Sequence, residues 1–244
     1  MNLESCDSTS GTGRLGPTVG PSVDLILPCL DEAAALPAVF AAVPASYRVI
    51  LVDNGSRDGS ADVATSLGAR VVVEERKGYG SAVNAGLLAA TADIVAVLDC
   101  DGSLDPAELP TLVAAVAEGT ADLALGRRRP VESGAWPWHA RTGNRVLASV
   151  LSRSVPGLTL TDLGPVRVAR RVELLALDVR DRRSGYPVET LIRAAMAGWR
   201  IQEHDMTYRT RALGTTSKVS GSVRGTVVAT GDILRTVRRH RVAA

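Results

Sequence analysis

Apolar positions along this chain change their period in a regular way. Val23–Leu27 is an apolar run of strand length, and Leu36, Val39, Phe40 and Val43 then recur at i, i+3, i+4 and i+7, the spacing of one helix face. Arg48–Val52 reads as a second strand closed by the turn Asp53-Asn54-Gly55, and Ser60–Leu67 as a short helix stopped by Gly68. Val71–Val73 follows as a third strand, Ser81–Ala90 as a helix and Ile94–Leu98 as a fourth strand. Leu109, Leu112, Val113 and Val116 mark another helix face, with Pro106 near its start, and Leu123–Leu125 is the fifth strand. Strands separated by helices of about ten residues predict right-handed βαβ units. The fold class is therefore α/β, with a mainly parallel central sheet and helices on both faces.

Beyond Arg127 the pattern loosens. Arg127–Ala140 reads as a loop containing two prolines and two tryptophans, Arg141–Leu151 as a helix and Pro165–Ala169 as a strand. Val188–Ala197 is a helix ended by Gly198, and Ile201–Tyr208 is a strand. Residues 209–222 are polar and contain glycine, the signature of a mobile loop. At the ends, residues 1–20 are rich in Ser, Thr and Gly without periodicity and are expected to be a disordered tail. Residues 223–244 place Val223, Val227, Leu234 and Val237 on one face and Arg224, Arg235, Arg238 and Arg239 elsewhere, a basic amphipathic helix weakened by Gly225 and Gly231. The expected organisation is one domain over 21–222, with halves 21–126 and 127–222.

Composition narrows the classes. The chain has 244 residues, 45% of them hydrophobic, enough for a substantial core. No apolar run approaches the roughly 18 residues of a spanning helix, and the N-terminus lacks a signal-peptide core. Cys6, Cys29 and Cys100 have neither disulfide nor zinc spacing, which points to a reducing cytosol. Aromatics are 3%, against a stacking surface for single strands, and no reader motif is present, so no nucleic-acid partner is expected. The net charge of +2 hides an asymmetry: residues 1–126 carry 6 Lys/Arg against 17 Asp/Glu, and residues 127–244 carry 22 against 9. A basic half suits a phosphorylated ligand or a membrane surface as well as plain solvation.

The chemistry gathers at strand ends. Val97-Leu98-Asp99-Cys100-Asp101-Gly102-Ser103 sets two carboxylates two apart after an apolar strand. Both then project into the crevice at the carboxyl end of the sheet, where open α/β sheets bind ligands. Hard oxygen donors there suit Mg²⁺ or Mn²⁺ held against a diphosphate; Cys100 between them reads as a small buried filler. The first strand ends in Leu27-Pro28-Cys29-Leu30-Asp31-Glu32 and the second in Val52-Asp53-Asn54-Gly55-Ser56-Arg57-Asp58-Gly59, facing the same crevice. Asp53 could accept from a base or ribose, and Asp58 suits the cap of the following helix. In Arg76-Lys77-Gly78-Tyr79-Gly80-Ser81-Ala82-Val83-Asn84-Ala85-Gly86, two glycines before a helix let backbone approach a ligand, and the helix N-terminus favours anions.

In this order the motifs P-x-x-(N/D)-E, V-D-(D/N)-G-S-x-D-G, K-G-x-G-x-A-x-N-x-G, a strand ending in D-x-D, and G-x-R resemble the family 2 glycosyltransferases, with the polyprenyl-phosphate sugar synthases closest in look. The resemblance runs from about Val23 to Lys218. It implies a GT-A, Rossmann-like fold, a UDP- or GDP-sugar donor, a divalent metal (Mg²⁺ or Mn²⁺) and inversion at the anomeric carbon. By resemblance Pro28, Glu32 and Asp53 border the nucleoside, Gly78 and Lys218 hold the donor, Asp99 lies near ribose, diphosphate or metal, and Asp101 is the direct metal ligand. Gly126-Arg127 resembles the G-S-R element, Arg141-Thr142-Gly143-Asn144 the R-x-x-N element, and Thr161–Arg167 the D-x-x-x-G-x-R element, shifted by one. Tyr208–Lys218 resembles the Y-x-x-R-x-x-G-x-S-K lid, with Arg211 at its arginine position and Arg209 beside it. Asp31 stands where asparagine is more frequent.

A departing diphosphate needs a cation and arginines, here Arg211 and Lys218, to take up its charge. A hydroxyl acceptor needs a carboxylate base, and the resemblance puts Asp162 at the family's base-like position. A phosphate acceptor is already ionised and needs a cationic cradle instead, which Arg127, Arg141, Arg209 and Arg211 could form. Glu189 is expected to pair with an arginine. The expectation is a cytoplasmic enzyme acting on a polyprenyl phosphate, peripheral at the inner membrane face if the C-terminal helix rests on headgroups. A soluble small-molecule or glycan acceptor, or a non-catalytic nucleotide-sugar-binding partner subunit, stays open as an alternative. A nucleotidyltransferase is disfavoured, because the first strand is not followed by a Gly-rich, arginine-bearing loop.

Overall fold

A computed structural model of the protein describes residues 21–211. The expected tail (1–20), Lys218 with most of its loop, and the expected C-terminal helix lie outside them. The elements are β1 (Val23–Cys29), α1 (Leu36–Ala41), β2 (Tyr47–Asp53), α2 (Ser60–Ser66), β3 (Arg70–Val73), α3 (Tyr79–Ala89), β4 (Ile94–Val97), α4 (Leu109–Ala117) and β5 (Leu123–Pro130). They continue with α5 (Trp138–Ser154), β6 (Val166–Arg170), α6 (Arg171–Ala176), α7 (Tyr186–Met196) and β7 (Ile201–Tyr208).

The strands form one seven-stranded sheet in the order β3-β2-β1-β4-β6-β5-β7. β1 pairs in parallel with both β2 and β4, β2 with β3, and β5 with β7, whereas β6 runs antiparallel between β4 and β5. Chain order reverses beside β1, so the gap between the carboxyl ends of β1 and β4 is a topological switch point, the place where such sheets open a crevice. Alternation along β1 shows the layering: Val23, Leu25 and Leu27 enter a core shared with α1 and α4, and Ile26 enters the opposite core under α3, α5 and α7. One acid is buried near the far end of β1. Asp24 accepts from the backbone N–H of Thr91 (2.7 Å) and Ala92 (2.8 Å) and from Arg48 Nε (2.8 Å), which ties β1 to β2 and to the entry of β4.

Three features differ from the sequence reading. Arg127–Pro130 is strand rather than loop, because β7 pairs with β5 along its full length, Leu123↔Ile201 to Pro130↔Tyr208. α5 starts at Trp138, three residues early, its first turn closed by Arg141 N–H donating to Pro137 O at 3.0 Å. α6 is six residues long, too short to show a periodic stripe.

Candidate active site

The switch point opens into a cavity of about 670 Å³, within the range of small-molecule sites. β1 delivers Pro28 and Cys29 to its wall, and the chain then turns through Asp31, held at φ +56. This left-handed conformation is one that Asp and Asn tolerate better than most residues. Ser56 Oγ accepts from Asp31 N–H (3.0 Å), and Asp31 Oδ1 accepts from Arg57 N–H (2.8 Å), so β1 and β2 fix each other's exits. Glu32 follows, 7% exposed and facing the cavity, its N–H donated to Ser60 Oγ at 3.0 Å. Asp58 binds Ser60 Oγ (2.6 Å) and Ala33 N–H (2.9 Å), tying the start of α2 rather than turning to the cavity.

β2 supplies a knot. Asp53 turns back to accept Ser56 N–H at 2.9 Å and does not reach the cavity wall; its neighbour Asn54 does. Asn54 donates to Glu74 O and Arg76 O (2.8 and 2.9 Å), accepts from Gly78 N–H (2.8 Å), and its carbonyl accepts from Lys77 Nζ (2.8 Å). Lys77 and Gly78 are thereby set on the wall. The glycines Gly78 and Gly80 admit protein, not ligand. Gly78 has φ +134 and its missing Cβ would strike Arg182 O, while a Cβ on Gly80 would lie 2.5 Å from Asp181 O and 2.7 Å from Tyr186 Cβ. Arg182 O accepts Ser81 N–H (2.9 Å) and Arg183 O accepts Gly80 N–H (3.3 Å), so the expected anion site at the start of α3 is already filled by chain. That segment is itself clamped by Glu189, which accepts from Arg180 N–H (3.1 Å), Asp181 N–H (2.7 Å) and Arg193 Nε (2.6 Å). It brings Arg183 and Ser184 to the cavity, two residues the sequence reading did not single out.

β4 delivers the acids. Asp101 is 3% exposed; its Oδ1 accepts Ser103 N–H (2.9 Å) and its Oδ2 pairs with Arg211 Nη1 (3.0 Å). Burial and the neighbouring Asp101 carboxylate push Asp99 up to about 6, against the pull of Arg211, Arg128 and Arg167. Two crowded carboxylates in a cavity fit a divalent cation of the hard, oxygen-preferring kind. Among the described residues no group of three or more potential ligands forms, so the remaining positions would fall to phosphate oxygens and water, as Mg²⁺ prefers. Cys100 packs inward, its thiol donating to Pro28 O at 3.2 Å.

The second half contributes one well-fixed cation. Arg128, not Arg127, faces the cavity. Its guanidinium lies 4.0 Å over the Trp136 ring and 5.7 Å from the Tyr208 ring. Asp162 receives four donors: Arg128 Nη2 (2.7 Å) and Asn144 Nδ2 (2.8 Å) on Oδ1, Arg128 N–H (2.8 Å) and Nε (3.1 Å) on Oδ2. Those bonds fill the lone-pair sites of a carboxylate, so Asp162, expected as a base, has no oxygen left for a substrate proton. Arg127 points to the other side of the strand, bonded to Asp205, because successive strand residues face opposite ways. Arg141 and Arg209 are exposed and off the wall; Arg209 donates its N–H to Ser103 O at 2.9 Å. Of the expected site residues, the cavity gathers Pro28, Glu32, Gly78, Asp99, Asp101 and Arg211.

The comparisons with known proteins agree with this architecture. Residues 24–175 match the model of glycosyl transferase family 2. A glycosyltransferase of Mycobacterium tuberculosis strain H37Rv is 55% identical over 218 residues, 89% of this chain and 99% of that protein. The undecaprenyl-phosphate mannosyltransferase of Micrococcus luteus is 35% identical over 83% of this chain and 89% of its own length. The dolichyl-phosphate hexose transferase of Haloferax volcanii is 35% identical over 68% and 71%. Among solved structures, glucosyl-3-phosphoglycerate synthase from Mycobacterium tuberculosis in complex with Mg²⁺ and uridine diphosphate superposes with a TM-score of 0.70 at 23% identity, covering 89% of this chain and 78% of that one. The fold is GT-A, and with its sheet order, its carboxylate pair at the switch point and these relatives, the chain belongs to glycosyl transferase family 2.

Proposed function

We propose that the protein is an inverting, metal-dependent glycosyltransferase that moves a sugar from a UDP- or GDP-sugar to a polyprenyl phosphate. The observation that carries this reading is Arg128. It is an arginine fixed by Asp162, Asn144 and two aromatic rings and presented to the cavity. A hydroxyl acceptor would need its proton removed, whereas a phosphate oxygen is already ionised and needs orientation and charge. Arg128 and Arg183 supply both, and Arg211 joins the same cavity wall paired with Asp101. The acceptor oxygen then bonds to the anomeric carbon as the bond to the nucleoside diphosphate breaks on the opposite face.

Asp99 and Asp101 would hold Mg²⁺ or Mn²⁺, and the ion would supply positive charge for the departing diphosphate. Lys77, beside Gly78, is set to meet donor phosphate. A lipid-linked acceptor is supported by relatives named for dolichyl-phosphate and undecaprenyl-phosphate transfer. The outer face of α5 also supports it, with Trp138 79% and Val146 57% exposed beside Arg141 and Arg145. A second reading, the same donor chemistry on a soluble phosphorylated acceptor, is favoured by the likeness in fold to glucosyl-3-phosphoglycerate synthase.

The test is transfer from a panel of UDP- and GDP-sugars with Mn²⁺ to undecaprenyl phosphate or to phosphoglycerate. Arg128→Ala should raise the KM for the phosphate acceptor by about 10- to 100-fold, the worth of a charge-assisted bond, and leave the donor KM nearly unchanged. Arg127→Ala should change neither. Transfer to phosphoglycerate alone would replace the lipid reading with the soluble one. No transfer from any donor would leave a binding subunit.

A further inference from the structure

Two buried polar atoms, the Tyr79 hydroxyl and Arg167 Nε, have no hydrogen-bond partner. Tyr79 opens α3; its ring packs against the core under that helix and its hydroxyl is buried without a hydrogen-bond partner. Arg167 on β6 is 3% exposed. It donates Nη1 to Pro165 O (2.8 Å) and Nη2 to Pro187 O (3.3 Å), and its Nε is left unpartnered. Arg167 acts electrostatically on Asp99, and Asp99 on the Tyr79 hydroxyl, which lies beside that carboxylate without completing a hydrogen bond. Tyr79 and Asp99 line the same cavity.

A buried hydroxyl with no partner costs free energy, so it calls for a state of the protein that uses it. Phenylalanine would fill the same core position without that cost. The acceptor within reach is the Asp99 carboxylate, which has two oxygens and needs only one for a cation. Ligating carboxylates are usually held by a further donor, and loss of that donor weakens metal binding.

We propose that Tyr79 is a positioning residue for Asp99: its hydroxyl, backed by the Arg167 guanidinium, donates to the carboxylate oxygen turned away from the metal and holds the other oxygen toward it. The inference rests on the reading that Asp99 and Asp101 hold the cation of a nucleotide–metal complex. The bond from Tyr79 closes as that complex arrives, so the tyrosine contributes to metal-assisted binding and little to the free protein.

Calorimetry of UDP and GDP binding, with Mn²⁺ and with EDTA, tests this on the full chain. Tyr79→Phe should weaken binding of the preferred nucleotide in Mn²⁺ by about tenfold, with no change in EDTA. In an Asp99→Asn background the same substitution should add less than about twofold, because the partner is gone. The melting temperature of Tyr79→Phe should equal or exceed that of the parent, since no bond is lost in the free state. Undiminished Mn²⁺-assisted affinity, equal loss in EDTA, or a lowered melting temperature would each overturn the role given to Tyr79. If the parent protein itself binds both nucleotides without regard to Mn²⁺, the metal reading fails first and takes this inference with it.

Discussion

Asp162 and Arg128 show how much a single residue's setting decides. Asp162 is 3% exposed and bonded by four donors, three of them from Arg128, so the pair works as one unit with its cationic end at the cavity. Breaking a buried pair by neutralising one partner costs about 3–5 kcal/mol, because the other charge is left uncompensated. Asp162→Asn should therefore lower the stability read from urea melts by an amount of that order and raise the acceptor KM through a loosened Arg128. The pH dependence of kcat should keep its shape; loss of its acidic limb would instead identify Asp162 as the proton acceptor. The sequence carried this neighbourhood but not its orientation. Asp99 and Asp101 were legible because they follow an apolar strand whose carboxyl end opens at the switch point, whereas Asp53 at the end of β2 turns back to Ser56 N–H. Arg127 was preferred to Arg128 because it stands at the arginine position of the G-S-R element that Gly126-Arg127 resembles. Continuing the period of two to Pro130 puts Gly126 and Arg128 on one side, and Arg127 and Arg129 on the other with Asp205.

At the scale of elements, the strand–helix alternation up to β5 was legible because each unit carries its own period and its own stop. The direction of β6 was not. An antiparallel strand buried on both faces has the same run of apolar residues as a parallel one, and only pairing with β4 and β5 fixes its sense. The same limit applies to the glycines before α3, where local sequence allows a ligand and the fold supplies residues 181–183, about a hundred positions downstream. Two alanine substitutions separate these settings. Gly80→Ala forces a Cβ against Asp181 O and Tyr186 and should cost about 1–3 kcal/mol of stability by overpacking. It should also raise the KM for the phosphate acceptor as Arg183 is displaced from the wall. Gly143→Ala lies inside α5 with nothing within 4 Å of the added carbon, and should stabilise by roughly 0.5–1 kcal/mol through helix propensity. Denaturant melts of the two variants should move in opposite directions.

Across the whole molecule, the uneven charge of the sequence maps onto the two sides of the crevice. The acid-rich first half brings Glu32, Asp99 and Asp101 to the cavity, and the arginine-rich second half brings Arg128, Arg183 and Arg211. α5 extends the basic side outward: its 17 residues include Arg141, Arg145 and Arg153 and no acid. An exposed tryptophan among arginines suits the headgroup region, where an indole finds an apolar body and a polar rim and each cation gains about 1 kcal/mol near an anionic surface. Asn144 on the same helix bonds both Arg128 and Asp162, so a bilayer resting on α5 would bring a lipid phosphate close to the cationic wall of the cavity. No described helix is long and apolar enough to cross a membrane. The protein should therefore co-sediment with vesicles containing phosphatidylglycerol and much less with phosphatidylcholine alone, and the bound fraction should fall as salt rises above physiological strength. Trp138→Ala and Arg141→Glu should reduce that binding while leaving nucleotide affinity intact, since neither residue lines the cavity. Equal binding to both vesicle types, or full transfer to undecaprenyl phosphate by the doubly substituted protein, would show that α5 is an ordinary solvated helix and that the acceptor arrives by another face.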